Sequence, residues 1–200
     1  MMTVGTLLFP GFELLDVFGP LEMFGGLPDD YRLVTMAERA GAVASNQGPK
    51  AIADIALMDA APLDILLIPG GRGTRREVDN VSLINCLRSV AEAARVVATV
   101  CTGTALLAHT GLLDGRKATT NKAAFRWVEQ QGPAVLWQRR ARWVSDGKFW
   151  TSSGVSAGID MALGLIAAQE GRDKALKVAN YAEYRWIEDA QDDPFADLYT

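Results

Sequence analysis

Runs of Val, Ile and Leu alternate along the chain with stretches whose apolar residues recur every three or four positions, the rhythm of strands alternating with helices. Continuous apolar runs at 4–9, 64–68 and 95–100 predict strands buried on both faces, as a parallel sheet covered by helices requires. A further strand is predicted at 31–36, and helices at 14–24, 80–93, 102–110, 123–131 and 158–169. Pro20, following Gly19, predicts a break or a fresh first turn inside the first helix. Residues 41–57 hold Asn46, Gln47, Gly48 and Pro49 between two short apolar pieces and read as a hairpin followed by a loop. Short strands are predicted at 117–120, 135–137, 142–145 and 149–151, the last two joined by a tight turn at Asp146 and Gly147. After Gly171 a helix is predicted over 174–189. The acidic stretch 191–200, which contains Pro194, reads as an arm on a partner subunit or a mobile tail. No repeat or linker divides the chain, so one domain over 1–190 with a tail at 191–200 is expected.

Composition narrows the function classes. Hydrophobic residues make up 49% of the 200 and charged residues 22%, enough apolar material for one substantial core and against disorder or a disulfide scaffold. Twenty basic residues against 24 acidic ones give a net charge of -4, and no basic stripe runs along the chain, which argues against nucleic acid. The basic cluster Arg139, Arg140 and Arg142 reads as an exposed strand face or turn, and the acidic end, Glu188, Asp189, Asp192 and Asp193, as solvated. The apolar start lacks a preceding Lys or Arg and meets Pro10 and Gly11 too early for a signal segment or membrane span. Two cysteines, Cys86 and Cys101, and a single histidine, His109, are too few for a disulfide framework or a zinc or iron–sulfur site, so no metal and a cytoplasmic compartment are expected.

The chemistry concentrates where the strand at 95–100 meets the helix beginning at Thr102. A small-residue corner there, Val100-Cys101-Thr102-Gly103, presents Cys101 at the carboxyl edge of the sheet, and Gly103 lets the backbone approach closely. The adjoining helix amino terminus is expected to favour thiolate over thiol and lower the cysteine pKa. Read alone, the pattern also fits a small buried hydrophobe, which is how Cys86, between Leu83, Leu87 and Val90, is read. His109 lies eight positions along the same helix, about 12 Å away at 1.5 Å per residue, so it cannot serve Cys101 as a base. A helix-terminal role is expected for it. A carboxylate remains. Asp16 stands between Leu14, Leu15, Val17 and Phe18, where desolvation would raise its pKa and ready it for proton exchange with sulfur, or where it would cap a helix. Glu13 and Glu22 are alternatives. The five tryptophans, Trp127, Trp137, Trp143, Trp150 and Trp186, read as core or dimer contacts rather than a substrate cage.

Taken in order, Leu8-Phe9-Pro10-Gly11, Leu15-Asp16-Val17-Phe18-Gly19-Pro20-Leu21-Glu22, Ile68-Pro69-Gly70-Gly71, Val100-Cys101-Thr102-Gly103 and Ser156-Ala157-Gly158-Ile159-Asp160 resemble the ThiJ/PfpI superfamily, most closely its isocyanide hydratase branch. The resemblance implies an α/β fold, a flavodoxin-like (class I glutamine amidotransferase-like) three-layer sandwich with a mostly parallel central sheet, as a homodimer. It implies Cys101 as nucleophile, Asp16 as the acid, and Thr102 where protease-like members carry histidine, which speaks against proteolysis. Gly70 and Gly71 fall in the expected oxyanion or substrate-binding turn, where the backbone N–H groups of Gly71 and Thr102 would meet developing negative charge. Thr120 and Asn121 lie near the pocket. The implied reaction is cysteine-dependent hydration of an isocyanide to an N-substituted formamide, with a small-molecule substrate and no cofactor. Glyoxalase-like or deglycase-like action on reactive carbonyls, and a cysteine-based redox or ligand sensor, are the competing readings. Regulator relatives fuse this domain to a DNA-binding one; with the sequence ending at Thr200, direct transcription control is not expected. Related sequences of the branch often carry Thr-Thr-His-Trp where this chain has Thr119-Thr120-Asn121-Lys122, so Asn121 is expected to keep a hydrogen bond and Lys122 to remove an apolar wall.

Overall fold

The computed structural model describes residues 1–191 and 193–199. Its strands are β1 (Met2–Leu7), β2 (Tyr31–Ala37), β3 (Gly41–Ala44), β4 (Lys50–Ala53), β5 (Ile55–Ala56), β6 (Ile65–Ile68), β7 (Val96–Val100), β8 (Lys117–Ala118), β9 (Leu136–Trp137), β10 (Trp143–Asp146) and β11 (Phe149–Ser152). Its helices are α1 (Leu14–Gly25), α2 (Thr74–Glu77), α3 (Val81–Ala93), α4 (Gly103–His109), α5 (Phe125–Gln131), α6 (Ala157–Glu170) and α7 (Arg172–Tyr181). Seven strands form one sheet in the order β10-β11-β7-β6-β1-β2-β5, parallel except where β10 pairs antiparallel with β11. The predicted hairpin at 41–57 is the separate antiparallel pair β3–β4. All four residues of β6 are buried, consistent with their unbroken apolar run.

Strand order reverses at β1. The chain goes from β1 through α1 to β2 on one side, then crosses back to β6 and β7 on the other. Right-handed crossovers in opposite directions put helices on opposite faces, and contacts accordingly group α1, α6 and α7 together and α2, α3, α4 and α5 together. A reversal of this kind leaves a crevice at the carboxyl ends of the strands that flank it. The segments leaving β1, β6 and β7 converge there.

Several expectations need correction. The first helix does not break at Pro20: α1 runs from Leu14 to Gly25 with the proline inside it. Its buried face of Val17, Pro20, Leu21, Met23 and Phe24 holds the helix together where one backbone hydrogen bond is lost. The last helix ends at Tyr181, not near 189. Glu183 takes a positive φ of 50°, and the chain then brings the Tyr184 hydroxyl and the Ile187 N–H onto the Asp160 carboxylate at 3.0 and 2.9 Å. Arg142 is not on an exposed face. It is 2% exposed and donates from Nε and Nη2 to Asp160 Oδ2 at 2.8 and 2.5 Å.

Nor is the acidic end wholly solvated. Asp193 is buried, its N–H bonds the Arg140 carbonyl at 2.7 Å, and its carboxylate lies 3.6 Å from Arg142 and 3.9 Å from Lys122. Residues 196–199 form a single turn of 3-10 helix beyond it. Asp192 lies outside the described residues. Among the described residues no helix is long and apolar enough to cross a membrane.

Candidate active site

Cys101 occupies the corner between β7 and α4 with a φ of 57°, a left-handed conformation that non-glycine residues seldom adopt. The peptide is clamped on both sides. Its N–H is shared between the carbonyls of Ser152 and Ser153 at 3.3 and 3.1 Å, and its carbonyl accepts from the Thr120 hydroxyl at 2.7 Å and the Thr104 hydroxyl at 3.3 Å. These bonds hold a backbone conformation that local preference opposes. Gly103 is required beside it, because a Cβ there would sit 2.4 Å from the Ile68 carbonyl oxygen.

Asp16 reaches the same point from α1. It is not a helix cap: Glu13 occupies that position, and Asp16, in the first turn, is fully buried. Its Oδ2 accepts the Gly70 N–H at 2.9 Å, Oδ1 has no hydrogen-bond partner among the described residues, and the carboxyl is in contact with the Cys101 thiol. Burial pushes the Asp16 carboxyl up to about 7, opposed by the Gly70 N–H, assisted by the charge of Glu13 and opposed again by the thiol. Cys101 departs from expectation. Burial, and then the Asp16 carboxylate, push its thiol up rather than down, against the N–H groups of Thr102 and Val155 and the Thr102 hydroxyl. The short α4 does not overcome the desolvation of an anionic sulfur.

Gly70 and Gly71 are engaged within the protein. Gly70 N–H holds Asp16, and Gly71 N–H donates to Thr102 Oγ1 at 3.1 Å, with the Thr74 hydroxyl 3.1 Å from the same oxygen. The Gly71 N–H is therefore not free to meet an oxyanion in this state. A Cβ on Gly70 would lie 2.6 Å from Thr102 N, 2.7 Å from Thr102 Oγ1 and 2.9 Å from Asp16 Oδ2. Gly70→Ala is accordingly expected to cost about 1–3 kcal/mol of stability and to displace Asp16 from Cys101. Denaturant unfolding read alongside turnover checks this, and unchanged values for both would contradict the tight approach.

In front of the sulfur lies an open cavity of about 300 Å3, bordered by Glu13, Asn46, Arg72, Arg75, Asn121 and Val155. Asn121 does line it, but its Oδ1 is committed to the Ala124 N–H at 3.0 Å at the start of α5. Thr120 turns its hydroxyl to the Cys101 carbonyl. Lys122 is not part of this wall. It is buried, with Nζ 3.0 Å from Thr119 Oγ1 and 2.5 Å from the Ala141 carbonyl, and it belongs to the cluster around Arg142 and Asp193.

His109 ends α4 and is exposed, with Nε2 2.9 Å from Gln131 Oε1. Cys86 is half-buried on α3. A larger cleft, about 450 Å3 and bordered by Pro10, Glu38, Arg39 and Ser82, has no cysteine among the residues described around it. Sequence reasoning missed Arg72, Arg75 and Val155. Val155 is a β-branched residue at φ 43°, a rare conformation that aims its N–H at the Cys101 sulfur, and no local signal announces it.

A doubly flanked, mostly parallel sheet with a cysteine on a left-handed corner, backed by a buried carboxyl from the first helix, defines a class of cysteine-centred α/β proteins. This chain belongs to the DJ-1/PfpI family, whose model matches residues 2–168. It is 33% identical to isonitrile hydratase of Pseudomonas putida over 92% of this chain and 78% of that protein. It is also 29% identical to the HTH-type transcriptional regulator GbdR of Pseudomonas aeruginosa over 95% of this chain, which spans about half (53%) of that regulator. Among solved structures, a ThiJ/PfpI family protein from Pseudomonas syringae superposes with a TM-score of 0.85 at 27% identity, covering 97% of this chain and 77% of that one.

Proposed function

We propose that the protein hydrates isocyanides to N-substituted formamides, with Cys101 as nucleophile and Asp16 as the group that moves the proton. The observation that carries this reading is the buried Asp16 carboxyl, ionising near 7, with Oδ2 bound to Gly70 N–H and the carboxyl in contact with the Cys101 thiol. Similarity to the Pseudomonas putida isonitrile hydratase supports the same chemistry.

An isocyanide carbon is electrophilic toward sulfur and, once attacked, basic toward a proton. As the sulfur–carbon bond forms, the thiol proton passes to Asp16 and from it to that carbon, leaving a thioimidate, R–N=CH–S–Cys101. Water then adds to the thioimidate carbon, the sulfur departs, and its proton is restored. The sum is R–NC plus water giving R–NH–CHO, balanced without a redox partner. Covalent attachment divides one slow hydration into two easier additions. Because the thiol is held protonated, a carboxylate able to take its proton at the moment of attack is what this site needs.

The raised thiol also bears on the sensor reading. A redox sensor needs a readily ionised sulfur, and burial and then the Asp16 carboxylate work against ionisation.

The deciding experiment is formamide production from a panel of aliphatic and aromatic isocyanides, run beside methylglyoxal consumption, for the wild type and Cys101→Ala. Cysteine-dependent formamide is expected, with turnover abolished in the variant. Formamide formation that survives the substitution would remove the mechanism. Cysteine-dependent loss of methylglyoxal alone would move the assignment to carbonyl chemistry.

A further inference from the structure

We propose that the substrate's N-substituent carries a carboxylate, held at the mouth of the Cys101 cavity by Arg75 with Arg72 beside it. This inference rests on the hydratase reading of the same site and names the class within it: a small isocyano acid, whose product is an N-formyl amino acid.

Both arginines follow the Gly70-Gly71 turn that positions Asp16, so the segment that builds the catalytic corner also sets two cations on the cavity rim. Neither forms an ion pair with a carboxylate among the described residues, whereas Arg76, the next residue, pairs with Glu77 at 2.6 Å. Arg75 is nonetheless ordered. Its guanidinium lies over the Trp127 ring, 4.0 Å from the centroid, and Nη1 donates to Thr74 Oγ1 at 3.3 Å. Stacking occupies the face of the guanidinium and leaves its in-plane N–H groups for a planar, two-oxygen partner, the geometry a carboxylate offers. It also removes part of the side-chain entropy that clamping a ligand would otherwise cost.

The electrostatics agree. Burial makes the charged form of Arg75 harder to hold, the Cys101 sulfur is close enough to favour it, and Arg72 disfavours it again. Two like charges side by side at the rim, Arg75 with part of its surface covered, favour an anion between them. Among the described residues Glu13 is the carboxylate that borders the cavity, and it is engaged by the side-chain amides of Gln47 and Asn46. The cavity, about 300 Å3, suits a reacting carbon and a short acid rather than a long chain. An arginine beside a cysteine could instead serve only to favour the thiolate, so the test separates the two roles.

Turnover of isocyanoacetate is compared with that of its methyl ester for the wild type, Arg75→Met and Arg75→Lys. In parallel, the rate at which iodoacetate alkylates Cys101 is compared with that of iodoacetamide, read by peptide mass spectrometry so that Cys86 does not contribute. A charge-assisted two-oxygen contact predicts an acid-to-ester ratio in kcat/KM of about tenfold or more in the wild type, collapsing toward unity in Arg75→Met and partly retained in Arg75→Lys. The iodoacetate-to-iodoacetamide ratio should fall in the same order. If Arg75 only favours the thiolate, both reagents slow together in Arg75→Met and the ratio stays fixed, which overturns the proposal. Turnover of the ester with no preference for the acid also overturns it and leaves the hydratase reading intact. If neither isocyanide reacts, the hydratase reading fails; an Arg75-dependent preference for iodoacetate then upholds the anion site alone, and its absence removes that too.

Discussion

Asp16→Asn will abolish formamide production, and its stability relative to the wild type will rise by about 3 kcal/mol between pH 4.5 and pH 8. The sign follows from linkage. In the unfolded chain the Asp16 carboxyl ionises near 3.8, and in the folded protein near 7, so the fold prefers the protonated acid. Between those values a rising pH ionises the unfolded state first and draws the equilibrium toward it. At about 1.4 kcal/mol per unit the cost reaches about 4 kcal/mol above pH 7 and is only about 1 kcal/mol at pH 4.5. Asparagine keeps an oxygen for the Gly70 N–H and carries no charge to desolvate. Denaturant unfolding of both proteins at pH 4.5 and pH 8 measures the gap, which should widen with pH. The same titration predicts that wild-type kcat/KM rises through pH 7, because only ionised Asp16 can take the thiol proton. A gap that does not change with pH, or full turnover in the variant, would make Asp16 a structural residue.

Asp160→Asn should cost about 3–5 kcal/mol and loosen the end of the chain. Arg142 and Asp160 are both buried, and removing one partner leaves the other charge without compensation. Asparagine retains an acceptor for the Tyr184 hydroxyl and Ile187 N–H, so the loss isolates the ion pair. Among the described residues Arg142 would then keep Asp193, 3.6 Å away, and the Ser156 hydroxyl at 3.4 Å. Adding Arg142→Met in the same chain should recover part of the stability, since no buried cation is left. Denaturant midpoints for the single and double variants give the energies, and limited proteolysis should cut beyond Tyr184 sooner in Asp160→Asn. Equal cleavage in all three proteins would mean that the pair does not secure this segment.

What could be read from the sequence divides along the range of the interactions. The strands at β1, β6 and β7 are legible because burial on both faces writes itself as continuous Val, Ile and Leu. The Cys101 corner is legible because strand, small residue and glycine are contiguous. Asp16 stands out as an acid in an apolar helix. The direction of the Cys101 shift is not legible, since it depends on how far Asp16 and the surrounding shell exclude water. Arg142 looks like any surface arginine until Asp160, 18 residues on, and Asp193 meet it in space. Lys122 is drawn to the same cluster and away from the cavity. The end of α7 is set by hydrogen bonds to Asp160, which no local helix signal contains. Arg75 acquires its orientation from Trp127, and the left-handed Val155 has no glycine to mark it.

The buried anchoring of Asp193 also has a consequence for the order of events in synthesis. Phe195 and Tyr199 border a hollow of about 220 Å3 whose other edge, Asn121, Ala123 and Val155, is shared with the cavity before Cys101. Every strand of the main sheet and the cysteine corner precede these residues in the chain. On the ribosome the sheet and the cysteine corner can close while this neighbouring hollow still lacks one side. Residues 193–199 then supply that side, drawn in by charges the interior already holds.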